Sequence, residues 1–130
     1  MSVMQQVSEF LGRYFQLSST PHPAPLPLYF QHMGHSRTII GVQTESGSHL
    51  SANVKSLLLF DPGCCGESLK SNLINRNNKW RQQVLRGINA LKEPSYQIVY
   101  IAEGIMTAEE RNNSKVLIGE RYNSPLKNIV

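Results

Sequence analysis

Most residues able to do acid–base or nucleophilic chemistry fall between Gln31 and Cys65. His32 and His35 bracket Met33-Gly34, Asp61 opens Asp61-Pro62-Gly63, and Cys64-Cys65 follow at once. An imidazole oriented by a carboxylate on one ring nitrogen can take a proton with the other. A thiol that loses its proton this way becomes a nucleophile. His35, Asp61 and either cysteine therefore make a complete set on paper. A helix starting just after the cysteines would lower a thiol pKa, although plain packing is the commoner fate of such a pair. His32 and His35, three apart on a run read as extended, project to opposite faces. No third ligand accompanies them, so no metal site is expected. There is no phosphate-cradling glycine loop and no serine nucleophile elbow, and no cofactor is expected.

The elements that must position these residues are two apolar runs. The first holds two strand candidates, Leu28 to Met33 and Arg37 to Gln43, with Gly34 breaking it just before His35; the second, Val54 to Phe60, follows the polar interval Thr44 to Ala52. Two such runs around a turn-rich stretch read as a β-hairpin. A hairpin centred on Ser48 sets His35 opposite Asp61, where facing Cβ atoms lie about 4.5–5.5 Å apart. A bulge would shift that register. Thr38, Ile40 and Val42 alternate with Ile39 and Gly41, and Leu57 and Leu59 with Leu58 and Phe60. Both faces are apolar, so these strands are expected inside a sheet covered on two sides. Gly34 reads as a bulge or a close backbone approach, suited to a passing peptide tail. Gln31, polar in an apolar strand, is a candidate to orient a substrate backbone.

Around this hairpin the chain reads as follows. Ser2 to Gln16 repeats Val3, Val7, Phe10, Leu11 and Tyr14 at helical steps, with Ser2 placed to cap. Leu17 to Pro27 carries alternate prolines and reads as a stiff connector. Glu67 to Leu91 has a helical apolar stripe, with a possible break at Asn75, Asn77 and Asn78. Its other side bears Lys70, Arg76, Lys79, Arg81, Arg86 and Lys92, which reads as a solvated face. Ser95 to Ala102 reads as a strand, Thr107-Ala108-Glu109-Glu110 as a capping box, and the tail from Arg121 as polar and frayed.

The 130 residues suit one small domain or part of a larger one, and 13 Lys+Arg against 9 Asp+Glu give a net charge of +4. That balance is too weak and scattered to argue for nucleic acid. The adjacent cysteines match neither a zinc ribbon nor a disulfide framework. No stretch resembles a signal peptide or a membrane span. A reduced, soluble chain of the cytoplasm or nucleus is expected.

The block from Tyr29 to Val42, with Gly34-His35-Ser36-Arg37-Thr38 at its centre, and Leu57-Leu58-Leu59-Phe60-Asp61-Pro62-Gly63 together resemble a known family. This is the ZUFSP branch of the ubiquitin-fold-modifier-specific cysteine peptidases, zinc-finger proteins with a modifier-specific peptidase domain. The resemblance runs from Leu26 to about Leu117. It implies a papain-like α/β (α+β) fold with a largely antiparallel sheet and flanking helices. It also implies a deubiquitinase-type thiol isopeptidase, with ubiquitin chains or a ubiquitin-like modifier as partner. Carried over, His35 is the general base, Asp61 its orienting acid, and Gln31 and Gly34 line the substrate channel. The family's nucleophile lies upstream of the histidine, so Cys64 and Cys65 match no family nucleophile, and the chain resembles the C-terminal part of a catalytic domain. The expected division is 1–27 helix and connector, 28–118 peptidase part, and 119–130 tail. Such a part is expected to be inactive alone, and the rival reading is a non-catalytic ubiquitin- or modifier-binding module.

Overall fold

The computed structural model describes residues 2–17, 25–45, 53–101 and 104–113. The first helix, α1, spans Val3–Leu17. Ser2 Oγ accepts from the Gln5 backbone N–H at 3.2 Å, and Gln5 Oε1 accepts from the Ser2 N–H at 2.8 Å. This reciprocal box satisfies donors that a helix start leaves without partners. The apolar stripe of α1 is the face it buries: Val7, Phe10 and Leu11 enter the core, with Val3, Tyr14 and Phe15 packed at its margin. Tyr14 also donates its hydroxyl to the Leu26 carbonyl at 2.9 Å, tying α1 to the approach into the sheet. Most of the proline-bearing connector lies outside the described residues.

Five strands follow: β1 Leu28–His32, β2 His35–Thr44, β3 Val54–Phe60, β4 Leu85–Gly87 and β5 Gln97–Val99. They form one antiparallel sheet in the order β4-β3-β2-β1-β5. The fold is thus α+β, an antiparallel sheet with flanking helices. Leu28 and Phe30 of β1, Ile39 of β2 and Leu57 and Leu59 of β3 meet α1 in the core, joined by Leu91.

Three features of the sheet differ from the sequence reading. The two strand candidates on either side of Gly34 are β1 and β2, but a tight turn, not a bulge, joins them. Met33 and Gly34 form a two-residue turn with φ values of 44° and 79°. Positive φ at both central positions is the hairpin turn whose twist matches that of its strands. His32 is consequently paired directly with His35. The two imidazoles share a face instead of pointing apart.

The second difference is the β2–β3 register. The pairs run Thr44↔Val54, Gln43↔Ser56, Val42↔Leu57, Gly41↔Leu58, Ile39↔Leu59 and Thr38↔Phe60. Lys55 and Ile40 are the extra residues, one on each strand, so their shifts offset each other. The hairpin is therefore centred one residue later than Ser48. Continuing the register by one pair sets Arg37, not His35, across from Asp61. The bulge at Ile40 also lets Ile39 and Val42 both serve the core face, although their spacing alone would place them on opposite faces.

The sheet's second face carries Tyr29, Ile40, Phe60 and Val99, which are 43%, 36%, 47% and 58% exposed. The two-sided cover expected for these strands is not found among the described residues.

The predicted long helix is divided. α2 spans Gly66–Ile74 and α3 spans Lys79–Val84, after which Leu85 turns extended and β4 pairs with the edge of β3. Arg76, in the asparagine-rich break, sits at φ 51° and ends the first piece. Unpaired backbone groups on the β3 edge outcompete a further helical turn. The basic residues are thereby spread over α2, α3, β4 and the turn beyond, and form no single helix face. α4, Ala108–Asn113, opens with the expected capping box: Thr107 Oγ1 accepts from the Glu110 N–H at 3.2 Å and Glu110 Oε2 from the Thr107 N–H at 2.8 Å.

The Met33-Gly34 turn makes a paired prediction. A Cβ on Gly34 meets nothing within 4 Å, so Gly34→Ala loses about 1–2 kcal/mol from backbone strain alone. Met33→Asn, a residue that tolerates positive φ, gains up to about 1 kcal/mol. Urea denaturation midpoints of the two variants should move in opposite directions.

Candidate active site

The register brings four polar side chains to one end of the core face. Leu28 and Phe30 on β1 lead to His32, Ile39 on β2 leads back to Arg37 and His35, and Leu59 on β3 leads to Asp61. Residues two apart on a strand share a face, and the pairs Phe30↔Arg37 and His32↔His35 lock the first two strands together. The apolar core thus ends in a polar cluster beside the Met33-Gly34 turn.

Arg37 is the centre of that cluster. Its Nε donates to Asp61 Oδ2 at 2.7 Å and its Nη1 to His32 Nε2 at 2.9 Å. The Arg37 and Asp61 side chains keep 19% and 27% exposure, so the pair is shielded more than a surface ion pair. Asp61 is also fixed by its own turn. Its Oδ1 accepts from the Gly63 N–H at 2.8 Å and its backbone carbonyl from the Cys64 N–H at 2.9 Å. This is the Asx-turn that Asp-Pro-Gly favours. The Gly63 N–H and then the Arg37 guanidinium hold the Asp61 carboxyl below the usual carboxylate range, with a further pull from Arg86.

A guanidinium can only donate. His32 Nε2 must therefore accept, and its ring proton sits on Nδ1, which is buried without a hydrogen-bond partner. The ring is held edge-on against Tyr96, at 5.2 Å between centroids, and Tyr96 stacks on Phe30 at 5.1 Å. His32 has no nitrogen free to take up a substrate proton. His35 is the opposite case: it is exposed, and its ring lies 5.8 Å from that of His32. It stands diagonal to Asp61 on the same face, a relation that spans about 7–8 Å between strands and is within reach of long side chains.

The remaining candidates separate from this cluster. Gln31 lies on the other face of β1, where Tyr29 donates to its Oε1 at 3.0 Å and shares a hydrogen bond with Ser36 at 2.8 Å. Gly34 sits in the turn next to His35. Cys64 and Cys65 are both free thiols just before α2. The Cys64 thiol has only its neighbour's carbonyl, at 3.9 Å. Among the described residues neither thiol is hydrogen-bonded to a histidine. No group of three or more His, Cys, Asp or Glu side chains there is placed to hold a metal ion. No helix there is long and apolar enough to cross a membrane.

Against known families, residues 1–99 match peptidase family C78. The chain belongs to that family. The matched span takes in α1 together with all five strands. Among curated relatives, "Zinc finger-containing ubiquitin peptidase 1" of Rattus norvegicus is 38% identical over 86 residues, 65% of this chain and 14% of that protein. The Bos taurus protein of the same name is 34% identical over 100 residues, 73% of this chain and 16% of its own length. The Homo sapiens protein is 33% identical over 102 residues, again 73% and 16%. The chain therefore corresponds to a small share of each of these C78 relatives.

Sequence reasoning gave Arg37 no role and weighed His32 only as a metal ligand. The signal was present: an arginine two residues after His35 and two before Ile39 shares the face of both, and a charge at the margin of an apolar face needs an anion there.

The Asp61 contacts fix a pH dependence. Its carboxyl is depressed on folding, so its contribution to stability is in place above the ordinary carboxylate pKa of about 3.9 and is lost as pH falls through the folded value. Thermal melts of the wild type and Asp61→Asn should differ most near neutral pH. That gap should narrow steadily below about pH 4.

Proposed function

We propose that this chain supplies the base and orienting acid of a thiol-dependent deubiquitinase-type peptidase, acting on isopeptide bonds of ubiquitin or a ubiquitin-like modifier. One observation carries the reading: in a C78 chain, an exposed imidazole, His35, stands on the same sheet face as a carboxylate, Asp61, that its turn and an arginine hold in place. His35 takes the proton from a cysteine thiol, and the thiolate attacks the isopeptide carbonyl. His35 then returns the proton to the departing lysine amine, leaving a thioester that water hydrolyses with His35 again as base. Asp61 orients the ring and stabilises the imidazolium. Gly34, beside His35 at the hairpin tip, leaves room for the modifier's tail. The names of the C78 relatives support the substrate class.

The chain has only Cys64 and Cys65, and among the described residues neither is hydrogen-bonded to a histidine. In this reading the nucleophile stands on a segment outside the chain. The same fact favours the second reading, a ubiquitin- or modifier-binding module without chemistry of its own.

Electrophilic ubiquitin and modifier probes, read by intact mass, separate these. The chain alone should form no adduct. Joined to the segment that supplies the thiol, it should cleave ubiquitin chains, and His35→Ala should lower the rate by about 10²–10⁴-fold. Undiminished cleavage by His35→Ala rejects His35 as the base. An adduct on Cys64 or Cys65 that disappears in His35→Ala would move the nucleophile into this chain.

A further inference from the structure

Arg37 touches both Asp61 and His32, and the reading above uses only its hold on Asp61. Its two bonds leave from different nitrogens of one planar group, Nε to Asp61 Oδ2 at 2.7 Å and Nη1 to His32 Nε2 at 2.9 Å. A rigid fork of this kind fixes the positions of its partners relative to each other, which a lysine ammonium cannot do. We propose that Arg37 is the positioning residue of this site: it holds Asp61 by one oxygen and locks His32 as the neutral Nδ1-protonated form, leaving His35 as the available one of the two imidazoles in the cluster. The proposal rests on the peptidase reading above and extends it to a residue that meets no reacting atom.

Three observations support it. Each Asp61 oxygen has a second lone pair free, because Oδ2 is engaged by Arg37 and Oδ1 by Gly63. The carboxylate is thus oriented without being saturated, and an imidazole N–H from His35 can still be accepted. Second, His32 is enclosed by Tyr96 and faces His35. Its Nε2 is taken by a group that can only donate and its Nδ1 is buried, whereas His35 is exposed. Third, Arg37 is paired with Phe30 across the sheet and lies two residues from the buried Ile39. The strand that carries it is thus anchored on both counts. The charged groups acting on Asp61 are Arg37 from β2 and Arg86 from β4.

The test is NMR on the whole chain labelled with ¹⁵N and ¹³C, because tautomers and carboxyl titrations need neither a thiol nor a substrate. Long-range ¹H–¹⁵N correlations at pH 8 should show His32 protonated at Nδ1 with a bare Nε2. In Arg37→Met that signature should be lost, and the Asp61 carboxyl should titrate at higher pH than in the wild type. Gly63 still binds Oδ1, so the shift stops short of the ordinary range. In Arg37→Lys the single ammonium should keep the carboxylate contact but not the His32 signature. A well-dispersed amide spectrum, with Ile39 and Leu57 unmoved, controls for folding. If His32 carries its proton on Nε2 in the wild type, the proposal is overturned, whether or not Arg37→Met folds. It is equally overturned if Arg37→Met or Arg37→Lys leaves both His32 and Asp61 as they were. If the clamp is seen but His35→Ala still cleaves, the peptidase reading fails and Arg37 is a structural clamp. If the clamp is absent, His35 and Asp61 retain their assignment without it.

Discussion

A strand gives its side chains to two faces by turns, and β2 has to keep that alternation in step with β1 on one side and β3 on the other. The site depends on this constraint. A slip of one residue against either neighbour would send Arg37 and His35 to the open face. On the β1 side the step is fixed by the shortest connection available, two residues with positive φ. On the β3 side it is fixed by burial: Ile39 and Leu57 are fully enclosed, and Leu59 nearly so. The bulge at Ile40 is where the alternation is broken, and it falls on the far side of Ile39 from the site. Everything from Ile39 to His35 is therefore in regular pairing with β1.

That regular stretch ends in charge because the core ends there. Phe30 and Tyr96 stack at the boundary, and His32 leans its edge on Tyr96. Beyond that the face carries only groups that need partners. A carboxylate and a guanidinium with most of their surface covered are unfavourable singly and tolerable as a hydrogen-bonded pair. The backbone N–H of Gly63 settles Asp61 further. Such a cluster is unlike a scattering of surface charges, because each member's position is decided by a strand register or a tight turn.

How much of this the sequence could tell follows from where the information lies. Helix α1 and both capping boxes were legible because a period of three to four and a Ser/Thr-x-x-Gln/Glu pattern are local. The sheet was legible as apolar runs. The partner of Asp61 was not, because it depends on the midpoint of a loop. Placing that midpoint at Ser48, one residue too early, moves the partner by two positions, from Arg37 to His35. An even shift keeps the face, so His35 and Asp61 still share a side of the sheet, as the arithmetic required. The His32–His35 relation failed for the opposite reason. Reading Met33-Gly34 as strand interior sent the rings to opposite faces, and a two-residue turn brings them back together. A methionine at a position that favours asparagine or glycine hid the turn. The break of the long helix at its asparagines was legible, but its end was not, because the edge of β3 offered Leu85 to Gly87 backbone partners that no local pattern records.

The two histidines show what this arrangement achieves. They are alike in sequence, each next to the same turn, and a motif alone could assign the base to either. Their pairing across the turn puts both on one face, and the chemistry then has to separate them. It does so through Arg37, two pairs further along β2, whose reach to His32 is short because Phe30, its direct partner, is His32's neighbour but one. The reach to Asp61 comes from the other side of the strand. Arg37 can make both contacts only from the middle of three adjacent strands. The central position of β2 is thus what distinguishes an occupied imidazole from an available one, and that position is set by the sheet order rather than by any residue of the motif.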